Sequence, residues 1–454
     1  MSRVSYLMRL GGSSLSEHVV SQHDAEQQRF LGDVLGGGIH DLAFTQAAAG
    51  VRDGGLGFRS AAQMRLLAYL ASRIEARPFV ARIMRDMVES GVGITGCMDR
   101  YDAQVEDALA EFLSGLPPGR ADEVRMCCEE AAAKAEGRLD AFTQGRREEP
   151  PGAPVGSRHA GTQLLPEAGT EDHEHPLNTC QTRLQARLAR IVHAEAIDGV
   201  SEALSRAERW EHVRRIRELR DDTVSHDWLW AIGPGEGGCI EPDEYVTAVR
   251  PRLGANQSDE SLLCQSCGRV MMQPDASHAL CCAPGQSTQG HNDVRDVTLE
   301  FTRLADASAE PEVVGLIASA PGLRPADLST TALTMNCDTA LDIGIASPDA
   351  AGAGADCTES MRRRKLTKYG RFLQELLATS VVYRPLIWSC YGREHADTTA
   401  AITAIARRAA RRQGLADHRR LLARFRAAVG VALARRSARM VHACLRRPPE
   451  QGWQ

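Results

Sequence analysis

A chain of 454 residues with 43% apolar and 25% charged side chains has the ordinary balance of a globular protein with a core, and its length argues for two or three domains and against a single fold. No stretch approaches the roughly 20 apolar residues of a membrane span, and the opening MSRVSYLMRLGG lacks a secretory apolar run, so a nuclear or cytoplasmic home is expected, with neither secretion nor a membrane partner. The 13 cysteines, an odd number spread over a long chain, fit free thiols and a metal site better than a disulfide framework, while the net charge of −5 conceals a very uneven distribution.

Residues 1–136 are predicted to be mostly helical, with apolar positions at helical spacing in HDLAFTQAAAG, AAQMRLLAYLASRIEA and QVEDALAEFLSGL, interrupted by the turn Gly54-Gly55-Leu56-Gly57. From 137 to 178 the composition shifts to Pro, Gly, Glu, Ser and His, which predicts a disordered linker because little apolar surface is available to offset its ordering entropy. A helical connector, 179–259, follows, with Trp228-Leu229-Trp230, a Gly-rich stretch and a short helix near 244–252. A cysteine cluster occupies 260–290. Residues 291–392 then change character: a helix near 293–305, strands in EVVGLIAS, PADLSTTAL and TALDIGIAS, a helix in SMRRRKLTKYGRFLQELLATS, and a strand in VVYRPLIWSCYG. Their order is α-β-β-β-α-β.

Two Arg-rich helices, 395–413 and 416–445, fill the basic C-terminal region 393–447. Between positions 359 and 447 there are 21 lysines and arginines against five acidic residues, a local surplus of 16 positive charges. Such a surplus attracts nucleic acid through its phosphates, and it equally describes two solvated helix faces. The fold class is therefore α+β and multidomain.

Cys264-Gln265-Ser266-Cys267 is followed by His278 and by the neighbouring pair Cys281 and Cys282. Two cysteines on a tight turn, a short loop, and a His/Cys pair one helical turn apart can close a tetrahedron around a structural Zn2+. The expected ligands are Cys264, Cys267, His278 and Cys282, because a four-residue step places the last two on one helix face; Cys281 is the alternative. So few apolar residues would leave the segment little else to hold it together.

Downstream lie Arg324-Pro325-Ala326-Asp327, Leu341-Asp342-Ile343-Gly344-Ile345 and Lys365-Leu366-Thr367-Lys368-Tyr369. Phosphodiester hydrolysis calls for a divalent cation on hard oxygen ligands, an activated water, and a positive group at the scissile phosphate. If 325–333 and 339–347 pair as adjacent strands, Asp327 and Asp342 converge on one metal at the sheet edge. Asp342 between Leu341 and Ile343 would be costly to bury without a partner. The bland alternative has Asp327 ending a strand and Asp342 paired with an arginine such as Arg324.

Taken together, these residues resemble the restriction-like endonuclease of non-LTR retrotransposons, a PD-(D/E)xK-type nuclease that follows a CCHC knuckle in one polyprotein. The resemblance runs in register over roughly 190 residues, through CQSC...HALCC, GHNDVRD, RPADL, ALDIGIASP, KLTKY and VVYRPLIWSCYGREHADT with its Arg-rich tail. It implies a restriction-like αβββαβ core, Asp327 and Asp342 as Mg2+ ligands, and Lys365 or Lys368 as the catalytic lysine with Tyr369 nearby. His291, Asn292, Arg295 and Asp296 match the GHNDVRD segment and, with Arg362, Arg363, Arg364 and Tyr369, stand as candidates for nucleic-acid contact. Target DNA and the element's RNA are the implied partners; oligomeric state is not implied.

Three departures stand out: Ala326 separates Pro325 from Asp327, Gly344 stands where the general motif has its lysine, and the stretch 349–356 lengthens the approach to Lys365. The first 120 residues more weakly resemble the region after the polymerase palm of such reverse transcriptases. No aromatic-x-Asp-Asp motif occurs, so a polymerase centre is not expected in this chain, which reads as the C-terminal part of a longer polyprotein or a truncated copy. The implied activity is nicking of target DNA to prime reverse transcription; the rival reading is a non-catalytic nucleic-acid-binding remnant. Gly36-Gly37-Gly38 and the glycines at 54–57 lack the Lys-Ser/Thr of a phosphate loop, and Cys390 near His395 lacks an orienting third group.

Overall fold

The computed structural model of the chain describes residues 3–94, 96–147, 178–231, 240–334 and 336–445. It is 65% helical with a small mixed sheet. In chain order the helices are α1 (Arg3–Gly11), α2 (Glu17–Val34), α3 (Asp41–Ala48), α4 (Ala61–Glu89), α5 (Cys97–Ser114), α6 (Pro118–Arg147), α7 (Asn178–Arg206), α8 (Trp210–Leu219), α9 (Pro242–Leu253), α10 (Pro284–Ala305), α11 (Cys357–Tyr369), α12 (Leu373–Ala378), α13 (Ala396–Gln413) and α14 (Arg419–Leu445). The strands are β1 (Leu262–Leu263), β2 (Met271–Met272), β3 (Glu310–Pro311), β4 (Leu328–Thr330), β5 (Asp338–Ala346) and β6 (Val381–Ser389). The chain divides into two compact units, one made of Met1–Gln27 and Arg59–Ala196, the other of Gln28–Phe58 and Ile197–Gln454.

The first unit is helical. Leu67, Leu70 and Ile74 recur at helical spacing on α4 and bury against Phe112 of α5, Val124 and Cys128 of α6, and Leu184 and Leu188 of α7. The Asp24 carboxylate accepts from the Ser60 hydroxyl (2.5 Å) and the Ala61 amide (2.6 Å), holding the start of α4. Helix α6 corrects the expected linker at its N-terminal end: the good helix formers beyond residue 137 carry the helix on to Arg147. The rest of the expected linker, 148–177, lies outside the described residues.

A second correction concerns the expected 1–136 region, which is not one body. Leu31, Leu35, Ile39 and Phe44 pack with Trp228, Val249 and Val431 in the second unit. The turn at 54–57 belongs to the same core. Gly54 and Gly57 have φ of +88° and +75°, and a Cβ on Gly55 would stand 2.2 Å from the Ala49 carbonyl oxygen, so only glycine permits this close return onto α3.

The second unit contains the four-stranded sheet, ordered β3-β4-β5-β6, antiparallel except for the parallel β5/β6 pair. Strand alternation assigns the two faces. Leu341, Ile343, Leu386 and Trp388 face α10, α13 and α14 in the largest core of the unit, whereas Ala340, Val381 and Tyr383 face Tyr369, Phe372 and Leu376 on the other side.

Three expected elements come out differently. EVVGLIAS is not a strand: only Glu310–Pro311 joins the ladder, since Glu312 takes a left-handed φ of +52° and turns the chain out. PADLSTTAL pairs over just three residues, because the buried Asp306 carboxylate captures the Thr330 hydroxyl (2.7 Å) and the Thr331 amide (2.7 Å) and ends the strand. The expected helix from 360 to 380 is broken by a 3-10 turn at Gly370–Phe372. Helix α14 is more than a basic surface. Its Val429 and Leu433 join the sheet's core, and its Met440, Val441 and Cys444 pack on the cysteine cluster.

Candidate functional site

Two constellations stand out in the second unit. The first is built on the β1/β2 hairpin, where the Cys264 amide donates to the Val270 carbonyl (2.9 Å) and the Gly268 amide to the Cys264 carbonyl (2.8 Å), folding Cys264 and Cys267 onto one turn. A 3-10 turn at Ser277–Cys281 then delivers His278, and Cys282 follows in extended backbone. The ligand atoms of Cys264, Cys267, His278 and Cys282 all lie within 4.8 Å of one another. Cys264 Sγ and Cys282 Sγ are 3.8 Å apart, and Cys267 Sγ and His278 Nε2 3.5 Å. Metal–sulfur bonds near 2.3 Å imply tetrahedron edges of roughly 3.8 Å, so this Cys3His cluster is compatible with zinc.

The expected ligands thus meet, though not by the expected route. His278 and Cys282 do not share an α-helical face; the tight turn and the extended residue after it bring them together, and Cys281 is outside the cluster. The backbone amides of Arg269 and Val270, with His278 beside them, pull the Cys267 thiol down to about 6, toward the thiolate a metal requires. Burial pushes the Cys264 thiol the other way. The Gln265 amide donates to the Cys444 carbonyl (2.9 Å), seating the hairpin on the end of α14.

The second constellation sits at the β4–β5–β6 edge facing α11. Leu328 pairs with Leu341, and the Asp327 amide donates to the Leu341 carbonyl (2.9 Å), so the ladder brings Asp327 beside Asp342. Asp327 Oδ2 accepts from the Ile343 amide (2.6 Å), and its Oδ1 lies 3.3 Å from His291 Nε2 on α10. Asp342 is buried, at 5% exposure, and both of its oxygens are engaged: Oδ1 by Lys365 Nζ at 2.5 Å and Oδ2 by the Tyr383 hydroxyl at 2.6 Å. Lys365 also donates to the Ile343 carbonyl at 2.5 Å. The Tyr369 hydroxyl donates to the Arg324 carbonyl (2.8 Å), and its ring packs 5.1 Å from that of Tyr383.

These surroundings drive the two carboxyls apart. Burial pushes Asp342 above the usual carboxylate range in spite of the neighbouring Lys365. Burial acts on Asp327 as well, but His291, Lys365 and the Ile343 amide outweigh it and hold that carboxyl low. Burial and the Asp342 charge push the Tyr383 phenol far up, so it stays a hydrogen-bond donor.

Among the lysines, Lys365 reaches Asp342, while Lys368 is exposed with Nζ 4.7 Å from the centre of the Tyr369 ring. Gly344 explains why a helix can supply the ammonium: a Cβ there would stand 2.9 Å from Lys365 Cε and 2.7 Å from Ile387 Cδ1. A side chain on the strand would occupy the path that Lys365 takes.

The other candidates are placed elsewhere. Arg295 pairs with Glu312 and Asp296 (2.8 Å to the latter), Arg362 with Asp397 (2.5 Å) and Arg363 with Glu359 (2.6 Å), whereas Arg364 is exposed. The alternative Asp342–Arg324 pair does not form: the observed partners of Asp342 are Lys365 and Tyr383. Sequence reasoning missed Tyr383. Its signal was the alternation of β6, which sets residues 381 and 383 on the face opposite Leu386 and Trp388.

A third group, Glu211, His212 and Asp275, has metal-like spacing. It is already neutralised from within, because Arg209 Nη2 lies 3.0 Å from Asp275 Oδ2, His212 Nε2 2.9 Å from the same oxygen, and Arg215 donates to His212 Nδ1. Burial opposes ionisation of Asp275, yet His212, the Ser277 amide and Arg209 hold its carboxyl down at about 2. These ion pairs tie the loop before His278 to α8. Comparison with known proteins finds no matching family model, curated protein or solved structure. Among the described residues no helix is long and apolar enough to cross a membrane.

Proposed function

We propose that the second unit is a metal-dependent DNA endonuclease of the restriction-like type, carried by a non-LTR retrotransposon polyprotein, with a zinc knuckle and basic helices that hold nucleic acid. The observation that carries the reading is the convergence of Asp327, Asp342 and Lys365 at one sheet edge from three separate segments. The donor set suits Mg2+: Asp327, Asp342 and the Ile343 carbonyl are hard oxygens, and an ammonium is already held between Asp342 and Ile343. A Mg2+ ion there supplies a polarised water and charge neutralisation at the phosphate.

The remaining work belongs to the chain's own groups. Asp327 and Asp342 present the oxygens, the Tyr383 hydroxyl and the Ile343 amide fix their orientation, and Lys365 brings positive charge to the phosphate as negative charge develops. Water oxygen bonds to phosphorus, the phosphorus–O3′ bond breaks, and the departing oxygen takes a proton, leaving a 3′-hydroxyl that can prime reverse transcription on the element's RNA. The surplus of Lys and Arg after position 359 supports sequence-independent backbone binding.

Incubation of the purified chain with supercoiled plasmid tests the reading. Nicking is expected with Mg2+ and not without it, and it is expected to vanish in Asp327→Ala and Asp342→Ala while salt-sensitive DNA binding persists. Equal nicking by all three proteins would sink the catalytic assignment. Binding without any nicking would support the non-catalytic remnant instead. The structural zinc is tested separately by metal content, expected at one equivalent and lost in Cys264→Ser.

A further inference from the structure

The two oxygens that hold Lys365 are those a divalent ion at Asp342 would use. Nζ is 2.5 Å from Asp342 Oδ1 and 2.5 Å from the Ile343 carbonyl oxygen, adjacent residues of one strand. A divalent ion bound to these two hard oxygens would sit where the ammonium now sits, and two cations cannot share that position. The second Asp342 oxygen accepts from the Tyr383 hydroxyl, an orienting hydrogen bond that a metal ligand can keep. The lysine stem crosses the bare Cα of Gly344, so its seat depends on the helix and not on a strand side chain.

From this geometry we infer that Lys365 is a resident counter-ion that competes with the divalent metal for Asp342 and the Ile343 carbonyl. Metal entry expels the ammonium from its seat toward the neighbouring phosphate position. The lysine then has two roles separated in time. Before metal binds it neutralises the buried Asp342; afterwards it is released for the substrate. The inference rests on the reading that Asp342 holds a divalent ion, and it demands that removal of the lysine strengthen metal binding.

The test is direct Mn2+ binding to the zinc-loaded full chain, read by the electron paramagnetic resonance signal of free Mn2+ in wild type, Lys365→Met, Lys365→Gln and Asp342→Asn. The Gln variant keeps a donor for the Ile343 carbonyl without the charge, and circular dichroism establishes that each variant folds. Both lysine variants are expected to bind Mn2+ tighter than wild type by at least about tenfold, a modest share of the attraction between unit charges in contact, and Asp342→Asn to lose that site. Affinity in the lysine variants equal to or weaker than wild type overturns the inference, as does binding that persists in Asp342→Asn. Plasmid nicking keeps the two ideas apart. A wild type that nicks while Lys365→Met gains no affinity retains the nuclease and loses the competition; a wild type that never nicks while Lys365→Met gains affinity does the reverse.

Discussion

Asp342 and Lys365 form a partly buried ion pair whose coupling can be measured. Their side chains are 7% and 18% exposed, with Oδ1 and Nζ 2.5 Å apart. Removing one partner of a buried pair costs roughly 3–5 kcal/mol, because the survivor is left uncompensated. In Asp342→Asn the stranded ammonium keeps the Ile343 carbonyl and some solvent, which brings the expected cost to about 2–3 kcal/mol. In Lys365→Met the carboxylate keeps the Tyr383 hydroxyl and can escape by protonation, since burial already raises its pKa. Loss of the lysine raises that folded-state value further above the unfolded one. The Lys365→Met deficit is therefore largest near neutral pH and shrinks as pH falls through the raised folded-state value. The double variant removes both charges together, so it should be more stable than the sum of the single losses by about 2 kcal/mol. Urea unfolding followed by tryptophan fluorescence is the assay, because Trp210, Trp228, Trp230 and Trp388, the tryptophans among the described residues, fall in the second unit. Single-variant effects that add to within about 0.5 kcal/mol would refute the coupling.

Three more perturbations are informative. Cys282→Ser should lose bound zinc and Cys281→Ser should retain it, by metal analysis, because only Cys282 belongs to the four-ligand cluster. Gly344→Ala should cut plasmid nicking by about 10²-fold with little change in DNA binding, since the new methyl displaces Lys365 and an ångström of misplacement costs about that much. Asp306→Ala should lower the urea stability of the second unit by about 2–4 kcal/mol, because the buried carboxylate accepts from the Ser308 and Thr331 amides and from three hydroxyls. Those donors hold the folded-state pKa of Asp306 far below the usual range despite burial. Its contribution is thus complete above the unfolded value near 4 and disappears as pH falls toward the folded one, and the alanine variant should lose that part of the acid sensitivity.

Legibility in the sequence followed how local the determining physics was. The metal-cluster ligands were readable because a knuckle's spacing nearly dictates its geometry, although the 3-10 turn that joins His278 to Cys282 was not. Strand β5 showed in the apolar run around Asp342, whereas the loss of EVVGLIAS as a strand depended on one left-handed residue, Glu312, that carries no compositional mark. Helix α6 ran past its expected end because helix propensity persisted where Pro and Gly farther on suggested a linker. Residues 28–58 could not be assigned to the second unit from periodicity, since Leu31, Leu35 and Phe44 advertise a buried face without naming its partner. The choice between Lys365 and Lys368 was likewise invisible, because three residues of helix turn one toward Asp342 and leave the other against Tyr369.

The departure at Gly344 and the seating of Lys365 belong to one arrangement of charge. Asp327, Asp342 and Lys365 meet here with His291 and Lys368 close by, so the cluster holds charges of both signs. Under the proposed reading, Asp327 and Asp342 would hold a divalent ion, and Lys365 would then be left to face the phosphate. A side chain on the strand at position 344 would meet Lys365 Cε and Ile387 Cδ1. Lys365, borne on α11, instead reaches the carboxylate by passing over a bare Cα. Under the proposed reading, glycine at 344 is what lets a lysine borne on a helix serve this site.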